Sequence, residues 1–497
     1  MKKSALVDGN KSSKGTENRP DTKGIGYKSQ EGNWLKITAL TGGEAKIKEL
    51  GESLLPKLSG QTPAEYEEYK NRGTFYNVFS RTVQGLVGAI IRKDPEVKIQ
   101  GKLEPMLSDI TPQHESFNEV VRVCIQKVIE YAYHGILVDL PPQEEIREGE
   151  SKLPYFALYT ADSILNFRWS GNRLTMISLL EVVSQTDPEN EFGTKSVQQI
   201  RVMDLDTTKE ETYGLLRVRI YRKVQAGTKE TWQQSGEVIE PKILGKRIDY
   251  IPFVFLGAVS NTPMPCSPPL MDLANLNVKH WQLTVDYYHG LHYCAIPTPY
   301  ACGFDKNAQL FIGAHRAWVT ENESAKCGFL EFTGQGLAAV KTAISDLESQ
   351  MAVMGARVLI EEQKKAAEAF ETVKLKTSGD SATLSTIVNS VQEGFMKAFD
   401  FAARWTGQQE SGAKISLNKE FVAQKLSAQE ITALLQSWQA GGMSLDTFLY
   451  QLQVGEILPP GRTIEEEKIR IEAEGKQNAK FENPGENPGA GENTVIK

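Results

Sequence analysis

The chain begins with a polar segment and then turns to helical spacing of its apolar residues. Residues 1–35 are polar and rich in Gly, Lys and Ser, so we expect a mobile N-terminal arm. Thr62, Pro63 and Glu65 have the residue types and spacing of a capping box with proline at the first helical position. They predict a helical block that starts here and ends at Pro95, because proline cannot continue a helix.

A second helix and a group of strands follow. Between Ser116 and Tyr133 the apolar residues recur three and four positions apart, and Gly135 suits the position just beyond a helix end. The next segment, ILVDLP, has the composition of a strand. Between residues 154 and 257, further apolar runs alternate with Gly, Asp, Asn and Lys turns, which predicts a mostly antiparallel sheet. We therefore expect an α+β region.

Long helices dominate the second half of the chain. The first is predicted from Leu273 to about Leu291. Residues 295–336 after it are interrupted by Pro and Gly and include two strand-like runs, LFIGAHRAWVT and GFLEFTG. The second long helix has apolar residues spaced alternately by three and four, which is the pattern of a heptad seam. The seam consists of Leu337, Val340, Ile344, Leu347, Met351, Met354 and Val358.

The third long helix lies beyond a predicted break. The segment VKLKTSGDSAT is expected to end the heptad helix, and the next helix is predicted from Ser381 to Trp405. Residues 480–497 have the composition of a disordered tail. Shorter helices are predicted at 427–440, 444–453 and 463–474.

Composition and charge narrow the class of protein. The 497 residues are 40% hydrophobic and 24% charged, which is enough for several domains with buried cores. The formal net charge is −7 and the pI is about 5.7, which argues against a protein that grips nucleic acid over a broad basic face. These values leave open a protein through which DNA slides.

The cysteines and the N-terminus indicate a reducing compartment. Cys124, Cys266, Cys294, Cys302 and Cys327 include no Cys-x-x-Cys pair, so free thiols are expected. The N-terminus has lysines but no apolar core behind them, unlike a secretory signal. The longest apolar run near it, GLVGAII, is too short to cross a bilayer. We expect a soluble cytoplasmic product with no membrane partner.

Common catalytic and cofactor-binding motifs are absent from the sequence. No Walker phosphate-binding loop, dinucleotide-binding glycine pattern, nucleophile elbow or His-Glu-x-x-His run occurs. The segment TGQGL (333–337) has a Gly-x-Gly but no third glycine, and a turn that starts a helix explains it better than a phosphate site. We expect no cofactor and no catalytic activity.

One histidine-rich stretch, HWQLTVDYYHGLHYC (280–294), is the strongest candidate for chemistry. His280 and His289 are nine positions apart and lie on opposite sides of a helix, so they cannot share a metal. His289 and His292, with Cys294, could share one, which leaves a metal-dependent enzyme as an alternative. A structural zinc needs four close ligands, and a helix end packed on neighbouring groups is the preferred interpretation.

A second stretch, EEQKKAAEAFETVKLKTSGDS (361–381), mixes lysines with glutamates. Two interpretations stay open, namely a solvated helix end and loop, or a mobile loop that presents cations to a polyanion. The lysines concerned are Lys364, Lys365, Lys374 and Lys376.

The order of these parts, over about residues 66–405, resembles the portal protein, or head-to-tail connector, of tailed bacteriophages and prophages. An α+β region leads to a helix, a small strand-rich insert, a heptad helix, a loop and a third long helix. Residues after about 405 match the family weakly. The stretches that carry the resemblance are YKNRGTFYNVFSRTVQGLVGAIIRKDP, PYFALYTADSILNFRW, IPFVFLGAVSN, PPLMDLANLNVKHWQLTVDYYHGLHYCAIPTPYACGF, IGAHRAWV and MGARVLIEEQKKAAEAFETVKLKTSGDSATLSTIV.

The resemblance implies a structural role. It implies a ring, usually a dodecamer, at one vertex of a capsid, through which double-stranded DNA passes without sequence specificity during packaging and ejection. The implied partners are other copies of the chain, the terminase large subunit, head–tail adaptor or tail proteins, and major capsid and scaffolding proteins. The implied location is the virion, after assembly in the cytoplasm of a bacterial host. A ring-forming tail adaptor that encloses no DNA is a further alternative.

The resemblance also implies a role for each segment. Lys364, Lys365, Lys374 and Lys376 would face DNA from a tunnel loop, and the heptad residues would pack a stem. The implied fold is a portal-type α+β protomer with a wing, stem helices, a small strand-rich clip and a crown-like helical end. The implied segments are a flexible arm at 1–35, a wing at 36–267, a stem helix at 268–292, a clip at 293–336, a second stem helix at 337–361, the tunnel loop at 362–380, a long helix and return to the wing at 381–426, crown-like helices at 427–479 and a disordered tail at 480–497.

Overall fold

The computed structural model describes most of the chain between residues 19 and 482. Its residues fall into two compact units, Met1–Lys419 and Glu420–Lys497. Across the described part of the chain, no helix combines the length and the apolar character needed to span a membrane. The described residues are 19–99, 101–140, 153–187, 190–207, 210, 212–226, 229–295, 298–305, 309–311, 317–330, 334–359, 370–419, 421, 426, 428–455, 457–458 and 462–482.

Helices form the N-terminal part of the first unit. The predicted capping box is confirmed, because the Thr62 hydroxyl accepts from the backbone N–H of Glu65 and the Glu65 carboxylate accepts from the backbone N–H of Thr62. Ser116 and Glu119 form a second capping box. The helices are α1 (Ile25–Thr41), α2 (Gly43–Leu50), α3 (Pro63–Arg72), α4 (Val78–Ile90) and α5 (Phe117–Tyr131).

The expected N-terminal arm at 1–35 is wrong in its second half. Helix α1 begins at Ile25 and its Trp34 is only 2% exposed. The indole N–H of Trp34 donates to the backbone carbonyl of Tyr131 at 3.1 Å. Trp34, Ile37 and Leu40 are buried at helical spacing, and this spacing could have indicated the helix despite the polar residues before it.

Two glycines change the predicted helix boundaries. The helical block before Pro95 is interrupted near Gly73, where a Cβ atom would lie 2.3 Å from Val285 Cγ2. Gly135 does not end a helix but lies inside a strand, with the ring of Phe253 within 2.2 Å of where its Cβ would be. The helix before it ends instead at Ala132, which adopts the left-handed conformation with φ of 56°. Close approach of neighbouring elements, and not local propensity, therefore explains these glycines.

The strands confirm the α+β class but divide into separate antiparallel sheets. The last predicted run, YIPFVFLG, pairs with the strand that follows α5 and does not join the larger sheet. The sheet orders are β4-β5-β6-β7-β8 and β11-β2-β3. The strands up to this point are β1 (Glu96–Lys98), β2 (Tyr133–Asp139), β3 (Tyr155–Thr160), β4 (Ile164–Ser170), β5 (Arg173–Asp187), β6 (Asn190–Leu205), β7 (Leu216–Ala226), β8 (Lys229–Gln234), β9 (Lys242–Ile243), β10 (Lys246–Arg247) and β11 (Phe253–Gly257).

The core of the first unit is closed by a segment from much later in the chain. Phe395 and Phe399 of a long helix, α8 (Phe370–Trp405), pack against the rings of Phe117 of α5 and Phe156 of β3. A short strand, β14 (Lys414–Ser416), pairs with β1. We call this assembly of α1–α5, β1–β11, β14 and the buried part of α8 the body.

Helix α8 begins earlier than predicted. Residues 370–380 were expected to form part of a break and loop, but the helix runs from Phe370 through this segment without interruption. Gly379 inside a helix costs about 1 kcal/mol relative to alanine. The good helix formers before it and the long buried stretch after Ser381 offset that cost, which explains the difference.

The second unit is helical, as predicted. Ser444 caps α10 by accepting from the backbone N–H of Thr447. Trp438 and Phe448 stack with ring centroids 5.3 Å apart and join α9 to α10. The helices are α9 (Ala428–Gln439), α10 (Leu445–Val454) and α11 (Ile464–Glu482). The first two correspond to predicted segments, whereas α11 continues past its predicted end at 474 and into the first residues of the predicted tail at 480–497. Residues 483–497 of that tail lie outside the described part of the chain.

Candidate functional site

Between its two contributions to the body, the chain makes a long excursion. Helix α6 (Met271–Ala295) leads out, a two-stranded ribbon of β12 (Thr298–Cys302) and β13 (Lys326–Leu330) follows, and α7 (Gln335–Leu359) leads back. A Cβ at Gly290 would lie 2.8 Å from Leu337 Cδ2, and His280 contacts Glu348, so the two helices run antiparallel. We call α6 and α7 the helix pair, and β12 with β13 the ribbon.

The half of α6 nearest the body is firmly anchored. Asn277 is fully buried, and its side chain accepts from the backbone N–H of Phe79 at 3.0 Å and donates to the carbonyl of Tyr76 at 2.8 Å. Thr284 donates to the carbonyl of Thr74 at 2.9 Å. The start of the excursion is therefore held by buried hydrogen bonds, which are costly to break.

The far half of α6 leaves its aromatic residues in solvent. Tyr288, Leu291 and Tyr293 are 39%, 40% and 51% exposed. Contrary to the prediction, Cys294 is still within the helix, which continues to Ala295. This end of α6 offers apolar surface that the single chain does not cover.

The heptad residues of α7 lie on one side of the helix. Met351 is buried, whereas the other five whose side chains are described are half-buried. The opposite side is exposed and includes Val353, with 50% of its surface in solvent. Packing of the seam within a ring stem stays a prediction. The half-buried residues are Leu337, Val340, Ile344, Leu347 and Met354.

His280 joins the two helices of the pair. It is 2% exposed, and its Nε2 lies 3.2 Å from Glu348 Oε1. The ring of Tyr76 lies 5.9 Å from the imidazole. His280 therefore contacts groups of its own chain and has no surface for contact with another subunit.

His289 packs among aromatic and cationic groups. Its Nδ1 lies 3.0 Å from Arg72 Nη1, and its ring meets those of Tyr69 and Tyr293 edge to face, each at 4.9 Å. Burial lowers the pKa of His289, and the positive charges of Arg72 and His292 add to this. A guanidinium this close disfavours a bound metal cation.

The described side chains of the histidine-rich stretch are not arranged to coordinate a metal. Within the described ranges, no three His, Cys, Asp or Glu side chains converge as metal ligands, and this includes His289, His292 and Cys294. Within the stretch, His280 and His289 pack on groups of their own chain, whereas Tyr288, Leu291 and Tyr293 are exposed.

The predicted DNA-facing lysines are only partly located. Lys374 and Lys376 lie in the first turns of α8, in the segment expected to be a loop. Lys364 and Lys365 lie outside the described residues. A role of the four lysines in contact with DNA stays a prediction.

The ribbon corrects the predicted strands of residues 295–336. β13 overlaps the run GFLEFTG, but its partner is the segment TPYAC, whose strand character the sequence pattern missed because of its proline. The described residues 310–311 and 317–320 of LFIGAHRAWVT are not in strands, and residues 312–316 lie outside the described part. Thr298 and Tyr300, residue types enriched in strands, are the local signal that could have indicated β12.

Two grooves flank α7 and share Ser349. The first encloses about 640 Å³ between α6 and α7, and the second about 410 Å³ between α7 and the start of α4. Each is open and partly apolar, so each offers a surface on one side of the helix pair. The first is lined by Asp272, Asn275, Leu276, Ser349, Gln350, Val353 and Met354, and the second by Tyr76, Val78, Ser345, Glu348, Ser349 and Ala352.

Comparison with known proteins marks the same region. A family model described as a domain of unknown function (DUF4055) matches residues 269–406, which comprise the helix pair, the ribbon and α8. No curated protein matches the chain. The family match thus spans the excursion and its return to the body.

Solved structures with some likeness come from gene transfer agent (GTA) particles. The virion of a native particle contains a chain with 11% identity and a TM-score of 0.32, covering 86% of this chain and 99% of that one. The neck of an empty particle computed with C6 symmetry gives 11% and 0.33, covering 82% and 96%. The neck of a native particle computed with C12 symmetry gives 11% and 0.33, covering 83% and 99%. Likeness at this level carries no inference about function.

Proposed function

We propose that this chain is the subunit of a portal ring at a capsid vertex, which forms the channel for DNA packaging and ejection. The observation that carries the proposal is the excursion. A pair of long antiparallel helices, tipped by a ribbon, leaves a closed α+β body and returns to it. This is the order of wing, stem, clip, stem and wing that the resemblance implies.

The exposed apolar residues of the excursion support assembly with other copies and not a monomeric role. Tyr293 at the end of α6, Phe329 in the ribbon and Val353 on α7 are each about half exposed, at 51%, 55% and 50%. Tyr293 and Phe329 lie at the ribbon end and Val353 lies toward the body, so uncovered apolar side chains occur at both ends of the excursion. In a ring, each copy would bury these residues against its neighbours.

The charge of the chain supports a passage for DNA and not a tight grip. Each phosphate that a protein neutralises adds affinity and would slow movement. A net charge of −7 per copy, repeated around a ring, repels DNA in general. The lysines at 364, 365, 374 and 376 would supply the few cations that centre the duplex.

Under this proposal the segments have the roles that the resemblance implies. The body would be the wing, the helix pair the stem and the ribbon the clip, which docks the terminase large subunit and later head–tail adaptor or tail proteins. Hydrolysis of ATP would belong to the terminase, and this chain would do no catalysis. Helices α9, α10 and α11 would be the crown-like end inside the capsid.

Negative-stain electron microscopy of the purified chain tests the proposal. Rings with a central hole and twelvefold symmetry are the expected result. A compact monomer at every protein and salt concentration would contradict it. A tail adaptor would also form rings, so a second experiment images assembled particles. A ring at the capsid vertex on the path of the packaged DNA supports a portal, and a ring only beyond the head supports the adaptor.

A further inference from the structure

The ribbon exposes large apolar side chains on both faces, and one face also carries Lys326. Tyr300 lies opposite Gly328 and Cys302 opposite Lys326, so Tyr300, Cys302 and Leu330 share one face. Cys327 and Phe329 lie on the other face, because successive side chains of a strand alternate. The large residues of both faces are exposed, with Tyr300 at 47%, Leu330 at 54% and Phe329 at 55%.

This two-sided surface restricts how copies can associate. A solvated antiparallel sheet usually has one apolar and one polar face, and an isolated pair of strands is marginal in water. A two-fold dimer would cover only one face of each ribbon. Head-to-tail association gives each copy two different neighbours and covers both faces.

The helix pair carries complementary charges on its two sides. Glu348, about half exposed, lines the groove between α7 and α4. Lys279 is exposed on α6, one turn beyond Asn275 and Leu276 of the other groove. The two grooves lie on either side of Ser349. One side of the pair thus presents the Glu348 carboxylate, which also contacts His280. The other side presents the Lys279 ammonium group, with the Asp272 carboxylate about two turns before it on α6.

These two charges also lie at the same level. Residue 280 contacts residue 348 across the antiparallel pair, so Lys279 and Glu348 are level along the helix axes. A cyclic symmetry operation rotates copies without moving them along the ring axis. In a ring whose axis follows the helix pair, a lysine and a glutamate at one level are therefore placed to meet.

We propose that copies of this chain pack head to tail, with Lys279 of one copy facing Glu348 of the next and the two ribbon faces of adjacent copies in contact. This inference rests on the ring proposed above and specifies its interface. The partner is a second copy, because the two sides of the helix pair complement each other in charge and the ribbon needs cover on both faces.

Charge reversal tests the helix-pair contact. Lys279→Glu and Glu348→Lys should each weaken assembly at least about tenfold, since like charges across an interface repel. The double variant should restore it. Lys102→Glu, at an exposed lysine of the body, is the matched control and should assemble normally. Glu348→Gln, which removes the charge with little change in shape, should weaken assembly less than the reversal. A double variant no better than the singles overturns the charge pair.

Cross-linking tests the ribbon contact. Cys302 and Cys327 lie on opposite faces, so head-to-tail packing brings Cys302 of one copy near Cys327 of the next. In a background with Cys266 and Cys294 changed to Ser, a short bismaleimide adds one thiol to each of its two double bonds. We expect a ladder of covalent species up to the complete ring, and monomers only when Cys302→Ser or Cys327→Ser is added. Dimers that persist in either single variant indicate a two-fold contact and overturn the inference.

The outcomes separate this inference from the ring itself. Rings visible by microscopy that give only monomers with the bismaleimide refute the head-to-tail ribbon contact but leave the portal proposal standing. If the unmodified protein forms no rings in any condition, that result contradicts the portal proposal itself.

Discussion

The body and the excursion differ in the share of their large apolar residues that one chain buries. In the body, Trp34, Phe79 and Phe395 are at most 2% exposed. In the excursion, Tyr293, Phe329 and Val353 are each about half exposed. The difference teaches that the body has a deep core within one chain, although it also exposes Phe192 and Leu244, whereas the end of the excursion around the ribbon leaves its large apolar side chains uncovered.

Charged groups show the same contrast. In the body, Arg201 donates to Glu181 at 2.6 Å and to Asp139 at 3.0 Å, and Tyr159 donates to Glu181 at 2.6 Å. This network joins the two main sheets and leaves its ions paired. On the helix pair, Lys279 is exposed with no such network around it. Removing one member of a buried ion pair leaves the other charge unpaired and destabilises the fold. An exposed charge can instead pair with a group on another molecule.

The largest expected effect is on the free energy of unfolding, and it should differ between the body and the excursion. Phe395→Ala should lower the free energy of unfolding by about 4 kcal/mol, because it leaves a cavity in the core beside Phe117 and Phe156. Phe329→Ala in the ribbon should change it by less than about 0.5 kcal/mol in the monomer. Urea unfolding at low protein concentration measures both. Equal losses of unfolding free energy in the two variants would contradict the difference between body and excursion.

Removal of one ion from the body network should have the next largest effect. Arg201→Leu leaves Glu181 and Asp139 buried without their cation, at a cost of about 3 kcal/mol in unfolding free energy. Lys279→Leu, a change of the same type on the helix pair, should leave monomer stability nearly unchanged. A similar stability for wild type and Arg201→Leu would show that the network does not hold the sheets.

A buried histidine in the body predicts a loss of stability in acid. His134 is 1% exposed, and neither of its ring nitrogens has a hydrogen-bond partner among the described residues. Burial, with a smaller effect from Lys127, lowers its pKa to about 3. The folded value lies below the usual value of 6.5, so the unfolded chain takes up the proton first. The stabilising contribution is fully present above pH 6.5 and is lost as the pH falls from there toward 3.

The measurement compares unfolding free energies at pH 6.5 and 5. His134 should account for a loss of about 2 kcal/mol over this interval, from about 1.4 kcal/mol per pH unit. In His134→Leu this loss of unfolding free energy between pH 6.5 and 5 should be absent. In His292→Leu, at the exposed end of α6, the loss should remain. An identical slope in wild type and His134→Leu would contradict the assignment.

The smallest effect on the fold is expected from the lysines near the start of α8. Changing Lys364, Lys365, Lys374 and Lys376 together to Ala should leave folding and ring formation intact. Under the portal proposal it should reduce the fraction of particles that retain packaged DNA several-fold, because cations that hold phosphates are lost. DNA content of purified particles is the measurement. Normal packaging and retention would exclude these lysines as DNA contacts.

Long periodic segments were the most predictable from the sequence. The capping box at Thr62, the heptad helix after Gly334 and the three C-terminal helices all follow from short-range pattern. Missed features depend on contacts between distant segments. The ribbon strand with Pro299 is stabilised by pairing with β13, and Gly135 serves a close approach to Phe253.

The histidine-rich stretch shows the same limit at the candidate site. Its spacing permitted a metal site as well as a packed helix end. Arg72, more than two hundred positions away along the chain, lies 3.0 Å from His289 and favours the packed interpretation. No local pattern could have supplied that contact.

The sequence by itself determined the α+β class, most helices and the order of the parts, because capping, heptad spacing and strand alternation act over a few residues. Only the tertiary structure decided that Phe395 and Phe399 of the returning helix close the body against Phe117 and Phe156, and that the ribbon exposes large apolar side chains on both faces. It also decided that Lys279 and Glu348 lie at one level on opposite sides of the helix pair. These features depend on which distant segments pack together, and packing is settled by the sum of many weak contacts that no single stretch of sequence contains.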